Sequence, residues 1–282
     1  MLLRSFKLPP SLLLLIVFLA FFGWQLSQGT RHENTPVGSQ IIPQSAGEKK
    51  APRIALMTFV TEQRSYLHLS LKNKDHYARR HGYDLILDYE SHTDRAVIFW
   101  KFNMAERLIK TGKYDWIWWL DFDTLITNTD IKVTDIIEEE LRNVTNPEEI
   151  DYLFTHDCNG FNAGSFLVRG HERSLKFLHD SWDIHDKARE EGGSMSEQDS
   201  TVKLLKDDEA SAARVHVVPQ YKLNAFPQEI ACFDDHRQVW EHGTFVLHFA
   251  GAWAHVKGED PTGQLMNKYE HEIKWGNWEE FY

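Results

Sequence analysis

The sequence predicts an α/β protein: a mostly parallel, Rossmann-like sheet with helices on both faces, preceded by one transmembrane helix. Three features lead there. Between Arg53 and Leu120 short apolar runs alternate with segments of helical periodicity, near the N-terminus an uncharged apolar run extends from Leu8 to Leu26, and a polar stretch separates the two. A strand–helix–strand–helix–strand series closes most simply into a parallel sheet with right-handed crossovers.

Each element has a local signature. Arg53–Val60 reads as a buried strand, and Ser65 is placed to cap a helix running through Leu69 and Tyr77 towards His81, with Gly82 as its stop. Tyr83–Tyr89 is a second strand. Trp100, Met104 and Leu108, spaced by four, mark an amphipathic helix ending near Gly112, and Tyr114–Leu120 is a third strand. Further on, Tyr152–Thr155 and Ser165–Val168 read as strands flanking a Gly/Asn-rich turn. Helices are expected through Leu175–Leu178 and over Glu197–Leu205, with short strands at Val215–Val218 and Phe245–His248.

The N-terminus divides into a tail at 1–7, an apolar span at 8–26, a flexible stem at 27–52 and a head at 53–282. About 20 apolar residues cross a bilayer, and Arg4 and Lys7 ahead of the span favour a cytoplasmic N-terminus with the head luminal. No small-x-small cleavage site follows the bulky Phe21–Trp24 end, which favours an anchor over a cleaved signal peptide. Asn143-Val144-Thr145 is the one allowed glycosylation sequon.

Charge narrows the partners. Among 282 residues, 31 Lys and Arg against 42 Asp and Glu give a net charge of −11, which argues against nucleic acid as a partner. The two cysteines, Cys158 and Cys232, permit one bridge or two buried thiols. The many aromatic residues are expected mainly in the core.

Four clusters carry chemistry. Asp121 and Asp123 stand where the apolar run Trp116–Leu120 ends, at the strand terminus where open parallel sheets bind ligands. Two acids so close favour a divalent cation such as Mn2+ or Mg2+, which takes carboxylate oxygens and shares them with a substrate's phosphates. Gly160–Leu167 places small residues around Asn162, suiting close approach to a hydroxyl-rich ligand or simply a turn. Ser196–Asp199 suits a helix cap. His248, at the end of a short strand, could complete a metal site or stay structural.

Taken in order, WIWWLDFDTLITN (Trp116–Asn128), FNAGSFLVR (Phe161–Arg169), SEQDS (Ser196–Ser200) and LHFAG (Leu247–Gly251) resemble glycosyltransferase family 34. That family comprises fungal α-1,2-galactosyltransferases and α-1,6-mannosyltransferases and plant xyloglucan xylosyltransferases. The resemblance spans roughly Arg53 to Gly251. It implies a GT-A fold, a type II membrane protein of the Golgi, and metal-dependent, retaining transfer of a hexose from UDP-galactose or GDP-mannose to a glycan acceptor.

By position, the resemblance puts Asp121, Asp123 and His248 at the metal, normally Mn2+, and Glu197 and Gln198 beside the transferred sugar. Asn162 and Gly164 match a sugar-binding turn, Lys101 a donor-site lysine, and Gly251 the end of the last motif. Plant members follow that motif with Cys-Lys, whereas this chain has Ala252-Trp253, so Lys257 is the nearest base for the diphosphate. A metal-dependent phosphoesterase and a non-catalytic luminal carbohydrate-binding protein are the rival readings.

Overall fold

The computed structural model describes residues 51–282. The expected tail, the apolar span and almost all of the stem lie outside the described residues. Among the described residues no helix is long and apolar enough to cross a membrane.

The first half follows the expected alternation: β1 (Ile54–Phe59), α1 (Leu67–His81), β2 (Asp84–Asp88), α2 (Trp100–Lys110) and β3 (Trp116–Leu120). Gly82 ends α1 at φ 66°, a left-handed geometry that favours glycine, and its N–H meets the Ala78 and Arg79 carbonyls. Ser65 does not cap α1. The helix starts at Leu67 without a side-chain cap, and the Ser65 hydroxyl donates instead to the Asp260 carboxylate, a charged and therefore stronger acceptor.

Then come β4 (Thr124–Ile126), α3 (Val133–Leu141), β5 (Tyr152–Asp157), β6 (Gly160–Arg169), α4 (Leu175–Glu190), α5 (Glu197–Asp207) and α6 (Glu209–Ala212). The chain continues with β7 (Val215–Val218), α7 (Gln220–Leu223), β8 (Val246–His248), α8 (Ala252–His255) and α9 (Pro261–Tyr269). The main sheet has the order β2-β1-β3-β6-β5-β7. β1 runs parallel to β2 and β3, and β5 to β7, while β6 is antiparallel to both of its neighbours.

One further sequence expectation is corrected here. The Gly/Asn-rich segment is not a turn: the chain reverses one step earlier, at Cys158–Asn159, and Asn162 and Gly164 lie inside β6. Burial explains this, because residues 161–168 are all buried and need the ladder to pair their backbone polar groups. The late strand β8 leaves the main sheet and pairs antiparallel with β4, which the sequence pattern did not announce because three residues carry no readable period.

β3 is buried on both faces, which accounts for its continuous apolar run. Trp116, Trp118 and Leu120 meet Tyr77 of α1 and Ile136, Ile137 and Leu141 of α3, whereas Ile117 and Trp119 face Met104 and Leu108 of α2 and Phe177 and Trp182 of α4. Helices therefore cover both faces, as expected. A third apolar cluster, including Leu125, Phe226, Leu247, Phe249 and Met266, gathers around the small β4–β8 sheet.

Cys158 and Cys232 form a disulfide, tying the β5–β6 reversal to the segment after α7. Asn143 stands exposed in the turn after α3. The bridge closes a loop of 74 residues; replacing both cysteines by serine is expected to cost about 4 kcal/mol of unfolding free energy in urea titrations, because loop closure no longer limits the unfolded chain. A loss below about 1 kcal/mol would show that the bridge constrains little.

Candidate active site

β3 ends at Leu120, opposite Ser165, and the next N–H, of Asp121, donates to the Gly164 carbonyl at 2.7 Å. The Thr124 hydroxyl then donates to the Asp121 carbonyl at 2.7 Å, closing the tight turn that carries both acids. β4 leaves that turn to pair with β8 in a register that sets Thr124 opposite His248. Strand pairing thus delivers the imidazole to the two carboxylates. His248 Nε2 lies 3.4 Å from Asp123 Oδ1 and 4.0 Å from Asp121 Oδ2.

One ligand atom from each of Asp121, Asp123 and His248 falls within a 4.8 Å cluster. Two hard oxygens and one imidazole nitrogen fit Mn2+ or a similar divalent ion with positions left for other ligands. The acids are about 30% exposed, and His248 is buried behind them.

Two buried lysines balance this acidic rim. Lys101 Nζ donates to Glu197 Oε1 at 3.0 Å, to the Ala163 carbonyl at 3.2 Å and to Asp121 Oδ1 at 3.4 Å. Burial disfavours its charge, but Asp121 and Glu197 outweigh burial and hold the ammonium above its ordinary range. The Trp119 indole also donates to Asp121, at 2.6 Å. Lys74 is fully buried on α1; its ammonium donates to the Thr124 carbonyl and the Ser70 hydroxyl, each at 2.9 Å, and Ser70 donates in turn to the Phe122 carbonyl at 2.6 Å. The backbone on either side of Asp123 is thereby pinned.

The Lys74 ammonium is depressed to about 7 by burial, partly offset by Asp123 and Asp121. For Asp123, burial works upward, but His248 and Lys74 hold the carboxyl below its ordinary range.

α5 begins beside this cluster. Ser196 caps it as expected, in a reciprocal box with Asp199. Glu197 therefore turns inward to Lys101, and Gln198 Oε1 accepts the Ala163 N–H at 2.8 Å. Gly164 packs against the His248 ring so closely that an added Cβ would sit 2.0 Å from its Cε1. Gly251 starts α8 at φ 64° just after β8, and Lys257 is exposed beyond that helix. Trp253, where plant members carry lysine, is 80% exposed.

Lys101, Asp121, Asp123, Asn162, Gly164, Glu197, Gln198 and His248 thus converge, whereas no contact ties Lys257 to them among the described residues. Lys74 and Asn224 were missed from sequence. A signal existed for the first: Leu69, Asn73 and Tyr77 recur at helical spacing, which turns the neighbouring Ser70–Lys74 pair inward too. Nothing comparable marks Asn224, which lies in an irregular segment.

A family model described as the galactosyl transferase GMA12/MNN10 family matches residues 50–258. The chain belongs to this glycosyltransferase family. It is 28% identical over 230 residues to the probable α-1,6-mannosyltransferase MNN10 of Saccharomyces cerevisiae, covering 70% of this chain and 58% of that protein. It is 30% identical over 186 residues to the probable α-1,2-galactosyltransferase gmh1 of Schizosaccharomyces pombe, covering 56% of this chain and 53% of that protein. The chain thus spans about half the length of these curated relatives. Among solved structures, a glycosyltransferase involved in glycosylation of the major capsid of PBCV-1 superposes with a TM-score of 0.56 at 17% identity, covering 77% of this chain and all of that one, a likeness of fold.

Two outcomes follow from this geometry. Gly164→Ala is expected to displace the His248 ring and lower stability by about 1–3 kcal/mol, with weaker Mn2+ binding in calorimetry; unchanged Mn2+ affinity would contradict the close packing. In metal-free protein, Lys74 binds its proton less tightly when folded, so between pH 7 and 9 the unfolded state holds more protons and stability should rise with pH, by at most about 1.4 kcal/mol per unit. Lys74→Met removes that contribution, so a wild-type-minus-variant difference that stays flat across this window would refute it.

Proposed function

We propose that the chain is a metal-dependent, retaining hexosyltransferase of GT-A type, moving galactose or mannose from a sugar nucleotide, UDP-galactose or GDP-mannose, to a glycan acceptor. The observation that carries this is the convergence of Asp121, Asp123 and His248 within 4.8 Å at the end of β3. These three residues would hold Mn2+, which when bound neutralises charge on the departing nucleoside diphosphate.

The chain's own groups do the rest. Asn162 and Gly164 lie behind His248 and shape the donor-sugar site from there. Gln198 keeps the Ala163 backbone in place beside it. Glu197, buried and paired with Lys101 at 3.0 Å, is placed to stabilise positive charge at the anomeric carbon. Lys101 in turn keeps Asp121 oriented. Gly251 and Lys257 follow β8, where we assign the diphosphate contact. The apolar span at 8–26 anchors the head in the Golgi membrane with its catalytic face luminal, and Asn143 is an exposed glycosylation site.

Incubating the purified chain with Mn2+, a panel of UDP- and GDP-hexoses and a mannose-containing glycan tests the reading. Transfer is expected with one donor class, and Asp123→Ala should reduce it at least about 100-fold, the consequence of losing several kcal/mol of charge stabilisation. Transfer that survives this substitution would reject the metal role. Donor cleavage requiring no acceptor would instead indicate a phosphoesterase, and saturable glycan binding without turnover a lectin-like protein.

A further inference from the structure

Asn224 sits at the end of α7 and is wholly buried, and its backbone is locked at both sides. Its N–H donates to the Gln220 carbonyl, and the next carbonyl, of Ala225, accepts the His248 N–H, each at 2.8 Å. Its side chain links three strands. The orientation of that amide follows from groups whose roles are not open to choice.

The Gly164 backbone N–H can only donate, and it meets the Asn162 side chain at 2.9 Å. The atom it meets is therefore the amide oxygen, Oδ1. The other end of the Asn162 amide, Nδ2, donates to the Asp157 carboxylate at 2.8 Å, which agrees. Asn162 Oδ1 also faces the Asn224 side chain at 2.9 Å, and an oxygen already acting as acceptor requires the –NH2 of Asn224 there. That –NH2 gives its second proton to Thr155 Oγ1 at 3.0 Å. Asn224 Oδ1 is left pointing at His248 Nδ1, 2.8 Å away. An amide oxygen has no proton to give, so Nδ1 carries the hydrogen.

We propose that Asn224 is a positioning residue that fixes His248 in its Nδ1–H form and so turns the Nε2 lone pair towards Asp121 and Asp123. A free neutral imidazole has no such obligation, and the wrong tautomer would direct an N–H at the cation. The ring has little freedom to escape: Phe226 packs edge-on against it at 5.5 Å, and Gly164 leaves it room where any Cβ would collide. Asn162 consequently spends both ends of its amide inside the protein, and its influence on the donor passes through His248. The metal consequence rests on the function proposed above, but the tautomer does not.

Long-range proton–nitrogen NMR of histidine-labelled, metal-free protein at pH 8 reads the tautomer directly, with His248→Gln identifying the signal. The unmodified chain should show Nδ1–H at this ring. Asn224→Leu should populate the Nε2–H form and weaken Mn2+ binding, followed by electron paramagnetic resonance of the free ion, by roughly 10–100-fold. Asn224→Asp, which still accepts from Nδ1 although it sets an oxygen against Asn162 Oδ1, should keep the Nδ1–H tautomer. If the leucine variant fails to fold, Asn162→Ala releases the same amide from its other end and should give the mixed tautomer. An Nε2–H ring in the unmodified chain, or an Asn224→Leu variant with unchanged tautomer and Mn2+ affinity, overturns the proposal. A ring in the Nδ1–H form in a chain that binds no Mn2+ supports the positioning role and rejects the metal reading instead.

Discussion

Everything at the rim of this sheet depends on compensating negative charge. Two aspartates separated by one residue stand at the end of a strand buried on both faces, close enough that their charges repel. The protein answers with cationic and donor groups on every side. Lys101 and the Trp119 indole engage Asp121, His248 approaches Asp123, and Lys74 secures the carbonyl of Thr124 while its partner Ser70 secures that of Phe122. Lys101 is shared between Asp121 and Glu197, and the aspartate oxygens that remain are of the kind a divalent cation takes.

The sense of one strand in the main sheet decides which groups meet these acids. β6 lies antiparallel beside β3, so its Gly160 end, not its Arg169 end, meets the acidic turn. That brings Ala163, Gly164 and Asn162 to the site as backbone and amide groups. It also lets the β5–β6 hairpin deliver Asp157 and Thr155 behind them. The Cys158–Cys232 bridge then ties the tip of this hairpin to the segment beyond α7, the short helix that carries Asn224 at its end. Backbone positions fixed by ladder and disulfide are what allow side-chain amides to hold one orientation.

How much of this was legible beforehand differs from residue to residue. β3 announced itself because a strand buried on both faces needs an unbroken apolar run, and the Asp pair stood out against it. α1 and α2 were readable from spacing, and Gly82 from the need for a left-handed residue. The reversal at Cys158–Asn159 was misplaced because small residues within a crowded strand look like turn residues. Gly164 is small there because His248 fills the space its side chain would take.

By itself the chain determined which segments are buried, where the acids lie and which family its motifs resemble, since periodicity, residue chemistry and order along the chain are local properties. Tertiary structure alone decided that β4 and β8 pair, that Lys74 and Lys101 share one acidic cluster, and that Asn224 reads the orientation of Asn162 and passes it to His248. These are relations between residues far apart in sequence. They come from the register of paired strands and the closing of hydrogen-bond networks, which no local pattern encodes.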